Sequence, residues 1–183
     1  GAPLINRVLS CAGGLSAHRD VTHRRLWETA QMVIDCMGEP AALRPGGCGW
    51  ESVLNVRMLH AGVRGYVRTR HPGWDVSVLG VPINQEDMIV TQLAFSIIPL
   101  MGLERIGVMR GVSDDDMLSY LHVWRFIGWL SGIADEYNTH MESLDGAAAA
   151  LESIGSHVIA PDESSRAMCW HVIDAVSLRP PMF

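Results

Sequence analysis

Lysine is absent: all fourteen basic residues of the 183-residue chain are arginine. Schiff-base chemistry and lysine ligation of a metal are therefore excluded. Cysteine is scarce, at Cys11, Cys36, Cys48 and Cys169 with no C-x-x-C, which removes a zinc ribbon, a covalent haem attachment site and a disulfide scaffold. The eight histidines contain no H-E-x-x-H, and His18 and His23 stand five apart, off the i, i+4 spacing that would put both on one helical face. Charge is low and acid-leaning, 19% charged residues with a net −6, so there is no electrostatic footprint for nucleic acid or anionic lipid. The apolar run Met88 to Leu103 is interrupted by Thr91, Gln92, Ser96 and Pro99. It falls short of the ~20 residues a bilayer needs, so it reads as a buried core helix and not a spanning one. The first residues lack the zones of a signal peptide and there is no initiator Met, so the chain reads as a processed or incomplete product.

What is present is apolar and helical. At 48% hydrophobic residues the chain must bury itself, and its length suits one core, a single domain over 1–183. Arg24 to Met37 and Val53 to Val67 carry apolar residues at mixed three and four spacings and predict two helices. Gly38-Glu-Pro and Arg44-Pro-Gly-Gly-Cys-Gly force a loop between them, and His71-Pro-Gly-Trp marks another. Asn84 with Asp87 reads as a capping box opening an apolar helical segment through Leu103. Ser113 followed by Asp114, Asp115 and Asp116 opens a helix running to about Tyr137. A short helix at Asp145-Gly-Ala-Ala-Ala-Ala and a last one opened by Pro161-Asp162 to about Val176 complete six helices and an all-α class.

His60 lies inside the second helix with Arg57 at i−3 and Arg64 at i+4, so the three share one face. A histidine on such a helix is commonly a satisfied core residue, but two guanidinium groups beside it call for anions. An axial nitrogen with arginine partners for two carboxylates is what haem b requires. Arg25 and Thr29 stack a cation and a hydroxyl on one side of the first helix, with Glu28 beside them; the bland reading is a solvated face with a back-bonded threonine. Asn84, Gln85 and Asp87 are explained mostly by capping, and Trp124, Phe126 and Trp129 read as core or pocket wall. Asp135 and Glu136 are placed at the C-terminal end of their helix.

Arg25-x-x-x-Thr29, Pro45-Gly-Gly-Cys-Gly, Arg57-Met-Leu-His60-Ala-Gly-Val-Arg64, Gly80-Val-Pro-Ile-Asn-Gln-Glu-Asp87 and Trp124-Arg-x-x-Gly128-x-x-x-Gly132 occur in one order. Over roughly residues 20 to 138 that order resembles the latex clearing protein family, which includes fungal endoplasmic-reticulum-bound oxygenases acting on prenylated natural products. The resemblance implies a globin-like all-α domain with haem b in a pocket between helices. It makes His60 the iron ligand, Arg57 and Arg64 further haem contacts, and Arg25 and Thr29 the distal groups where dioxygen and the olefin meet. It implies an oxidoreductase that cleaves a carbon–carbon double bond of an apolar, isoprenoid or prenylated substrate with dioxygen, giving carbonyl products. Any membrane association then comes through segments this chain does not include. Glu28 stands where latex clearing proteins often carry a lysine, and Gly65 where a histidine can follow the second arginine; these departures weigh against rubber itself as substrate. The alternative is a helical haem-binding or scaffold protein of the same fold without oxygenase activity. A third reading is a non-haem metal protein using His60 with carboxylates.

Overall fold

The computed structural model describes residues 2–13 and 18–177. Among these residues every regular element is helical, in agreement with the all-α expectation and consistent with a globin-like one. The α-helices are α1 (Pro3–Cys11), α2 (Arg19–Met37), α3 (Cys48–Arg70), α4 (Val76–Leu79), α5 (Gln85–Phe95), α6 (Ile97–Arg105), α7 (Asp114–Ser131), α8 (Leu144–His157) and α9 (Glu163–Ser177), with 3₁₀ turns at Pro40–Leu43, Asp135–Tyr137 and Thr139–Glu142. Nine α-helices among the described residues exceed the six expected, because the short α1 and α4 were not among the six and the predicted segment through Leu103 is split. The chain forms two compact units, Gly1–Pro82 with Ile159–Phe183, and Ile83–Val158.

In the first unit α2 packs on α3 and on α9, and α1 packs on α9. The α2–α3 turn is drawn tight by glycine: a Cβ on Gly49 would fall 2.8 Å from the Asp35 carbonyl oxygen and 2.9 Å from the Cys36 Cα. The helix ends are joined there, Ser52 donating to the Asp35 carboxylate at 2.5 Å and Gln31 at 2.8 Å, which holds that carboxyl below its ordinary range. α9 opens where expected, with Asp162 accepting from the Ser165 amide at 2.9 Å and from the Ser164 hydroxyl at 2.6 Å; these bonds bring its pKa down to about 2.

In the second unit the predicted capping box of Asn84 with Asp87 is present and reciprocal, and the predicted Ser113 cap is one too, with Asp116 as its partner. The apolar segment breaks at Ser96. Pro99 has no N–H, so the Phe95 carbonyl loses its intrahelical partner, and the Tyr120 hydroxyl donates to it at 2.7 Å instead. Ser96 turns its own hydroxyl back to the Gln92 carbonyl at 2.8 Å. α7 stops at Ser131 and not near Tyr137, because Gly132 takes the left-handed conformation at φ 105° and caps it. Asp135 and Glu136 therefore sit in a separate 3₁₀ turn rather than on the end of that helix. The 21-residue stretch Gln85–Arg105, with an 18-residue window of mean hydropathy 1.3, is long and apolar enough to cross a membrane by length and composition. Its Gln92 and Ser96 are nevertheless buried and hydrogen-bonded within the unit.

Candidate functional site

α2 and α3, which carry the predicted residues, pack on each other as an antiparallel pair. Counting equal steps away from the Asp35–Ser52 bond sets Thr29 level with Met58 and Arg25 level with Gly62, so His60 falls between the two distal candidates along the pair. α3 is continuous through Cys48–Arg70, which puts Arg57, His60 and Arg64 on one face as their spacing requires.

His60 is half-buried, and its Nδ1 is buried with no hydrogen-bond partner among the described residues. Burial lowers its pKa first, and the charge of Arg64 lowers it further, so the imidazole is neutral with a lone pair to give. Arg64 is half-buried and donates from Nε to the Pro82 carbonyl at 3.3 Å; Arg57 is exposed. On α2, Arg25 pairs through Nη1 with Glu28 at 3.0 Å, and Arg24 approaches the other Glu28 oxygen at 3.5 Å. The Nε of Arg25 is buried and has no hydrogen-bond partner among the described residues. Thr29 is exposed and donates to the Arg25 carbonyl at 3.0 Å, the back-bond anticipated for a helical threonine, which leaves its oxygen able to accept. Among the described residues no three His, Cys, Asp or Glu side chains come together as a metal-binding group.

The second unit explains the other motif residues by packing. Gln85 grips the end of α7, donating to the Gly132 carbonyl and accepting from the Ala134 amide, each at 3.0 Å. Gly128 has no side chain because the Gln92 amide occupies the space a Cβ would fill. That amide donates to the Trp124 carbonyl at 2.9 Å and to Asn138 Oδ1 at 3.0 Å, while Asn138 donates to the Arg125 carbonyl at 2.8 Å. Sequence reasoning missed Gln92 and Asn138: Gln92 is a polar residue inside an apolar run, but Asn138 stands among polar neighbours and carried no signal. Asp87 is half-buried, and burial raises its pKa despite the amide bonds of the capping box. Trp124 is buried and stacked on Phe95 at 5.6 Å, as a core reading requires, but Trp129 is 47% exposed and stacks only on Phe126. A surface groove of about 450 Å³ along α6 and α8, lined by Met101, Ala148, Leu151 and the carboxylates of Asp145 and Glu152, holds none of the predicted site residues.

The described residues are helical and carry a half-buried imidazole flanked by two arginines, with the ordered motifs in place. The chain belongs to the family described as ER-bound oxygenase mpaB/B′/rubber oxygenase, catalytic domain, which matches residues 4–182. A rubber oxygenase of Streptomyces sp. strain K30 is 30% identical over 115 residues, 62% of this chain and 27% of the relative. The chain thus spans well under two thirds of that relative's length. No solved structure matches. The family match gives the class of domain, an oxygenase catalytic domain.

Proposed function

We propose that the chain binds haem b and cleaves a carbon–carbon double bond of an apolar, isoprenoid or prenylated substrate with dioxygen, releasing carbonyl products. The observation that carries this reading is the His60 imidazole, neutral, with a buried nitrogen lacking any internal partner, on the helix face it shares with two arginines. The residues present fit such a group: the imidazole supplies an iron ligand, and Arg57 and Arg64 supply cations for two propionates. When bound, haem supplies the electron chemistry of dioxygen use and bond cleavage.

The chain's own residues bind and orient. His60 would ligate the haem iron through a ring nitrogen. Arg25 presents a guanidinium Nε with unused donor capacity, suited to stabilising negative charge that develops on substrate-derived oxygen. Thr29 accepts in its present rotamer, and donates once its hydroxyl turns from the Arg25 carbonyl. Glu28, held by Arg24 and Arg25, carries its charge away from a ligand role.

Absorbance of protein produced with ample haem tests the reading. A Soret band that is lost in His60→Ala supports it. Absence of the band in wild type, or an unchanged spectrum in the variant, overturns it and favours a helical scaffold. Label from isotopic dioxygen, and not from water, is expected in the carbonyl products.

A further inference from the structure

His23 and Trp27 stand one turn apart on α2, and the Trp27 indole donates its N–H to His23 Nε2 at 2.7 Å, with the rings edge-on at 5.9 Å and 66°. Indole nitrogen is a donor only, so in this bond His23 Nε2 is the acceptor. The contact joins an oxidisable ring to a base across a short bond, in a half-buried setting. Trp74, by contrast, donates to the Gly80 carbonyl, which cannot keep a proton.

We propose that Trp27 and His23 form a proton-coupled one-electron oxidation site. A strong one-electron oxidant takes an electron from the Trp27 indole and is itself reduced by one electron. The ring so oxidised is far more acidic at nitrogen, and its N–H bond breaks as an N–H bond forms at His23 Nε2. The products are a neutral indolyl radical at Trp27, an imidazolium at His23 and the reduced oxidant; no proton leaves the pair. Trp27 sits between Arg25 and Thr29 in sequence but 200° around the helix from Arg25, so it lies across α2 from the distal candidates, within roughly one helix diameter, ~10–12 Å. As a working part of the enzyme, the site rests on the haem reading above, because an oxidised haem is the oxidant class that would feed it. It would then drain oxidising equivalents formed when no olefin is in place.

The test needs no haem. Tris(bipyridine)ruthenium(III), generated by a light flash in the presence of the whole chain, oxidises accessible aromatic residues, and the radical is read by transient absorption and electron paramagnetic resonance. Other tryptophans and tyrosines react too, so the Trp27 signal is taken as wild type minus Trp27→Phe. The expected difference is a deprotonated indolyl radical that forms more slowly in heavy water. His23→Gln keeps a hydrogen-bond acceptor but no base, so the protonated indole cation radical should live longer and lose its proton only to solvent. A wild-type signal unchanged in Trp27→Phe, or deprotonation as fast in His23→Gln as in wild type, overturns the proposal. Haem binding is judged by the Soret band, so failure of the haem reading and failure of this site are told apart.

Discussion

Gly49 of α3 lies against Cys36 of α2 so closely that a Cβ would fall 2.9 Å from the Cys36 Cα and 2.8 Å from the Asp35 carbonyl oxygen. Both neighbours are backbone atoms, so only a shift of a whole helix could relieve the clash. Gly49→Ala is therefore expected to lose about 1–3 kcal/mol despite alanine's better helix propensity. Urea denaturation measures it, and a stabilised variant would mean that the pair is looser than its contacts indicate.

Acid should weaken the fold through His60. Its folded pKa lies below the ordinary value of about 6.5, so as pH falls the unfolded chain binds the proton first. Stability from this group is complete above that value and declines below it, until the folded ring itself protonates. His140, lowered mainly by burial, acts in the same sense. Unfolding free energy at about pH 8 and about pH 5.5 should differ less in His60→Leu than in wild type; equal differences would deny His60 a part.

Arg57→Ala and Arg64→Ala should each weaken haem affinity, Arg64 more, because it is half-buried and its loss leaves a carboxylate unpaired at lower dielectric. Haem titration followed at the Soret band tests the order. Two wild-type affinities would return the pair to an ordinary surface.

Arg25→Ala and Thr29→Val should retain haem and slow dioxygen-dependent turnover, in the range of 10²–10³-fold for the loss of a charge-stabilising donor. Arg25→Ala also frees Glu28 from one of its two cations. Wild-type rates in both variants would remove the distal assignment.

Gly128→Ala should displace the Gln92 amide, which fills the space beside that glycine, and strand the Trp124 carbonyl and Asn138. A loss of about 1–3 kcal/mol is expected. The double variant with Gln92→Ala should lose less than the sum of the two single losses, because the clash then has no partner. Additive losses in that thermal-denaturation cycle would contradict the contact.

Much of the helix framework was legible because its signals are local. A cap needs only residues three apart, as in Asn84 with Asp87, Ser113 with Asp116 and Asp162 with Ser165. The shared face of Arg57, His60 and Arg64 is likewise a matter of helical spacing. The end of α7 was not legible, because Gly132 reads like another small residue of the motif until the chain turns there and Gln85, 47 positions away, takes its carbonyl. The break at Ser96 was hinted at by Pro99, but Tyr120 is what satisfies the carbonyl that the proline strands.

Sequence by itself determined the helical class, the capped starts and the residue types available for ligation, since period, cap chemistry and the absence of lysine depend on near neighbours alone. Tertiary structure decided which polar atoms have partners. Gln92 finds Trp124 and Asn138 across 32 and 46 residues, and one nitrogen of His60 is enclosed with no hydrogen-bond partner among the described residues. Burial and long-range pairing depend on how helices pack, and a linear pattern of residue types does not specify that packing.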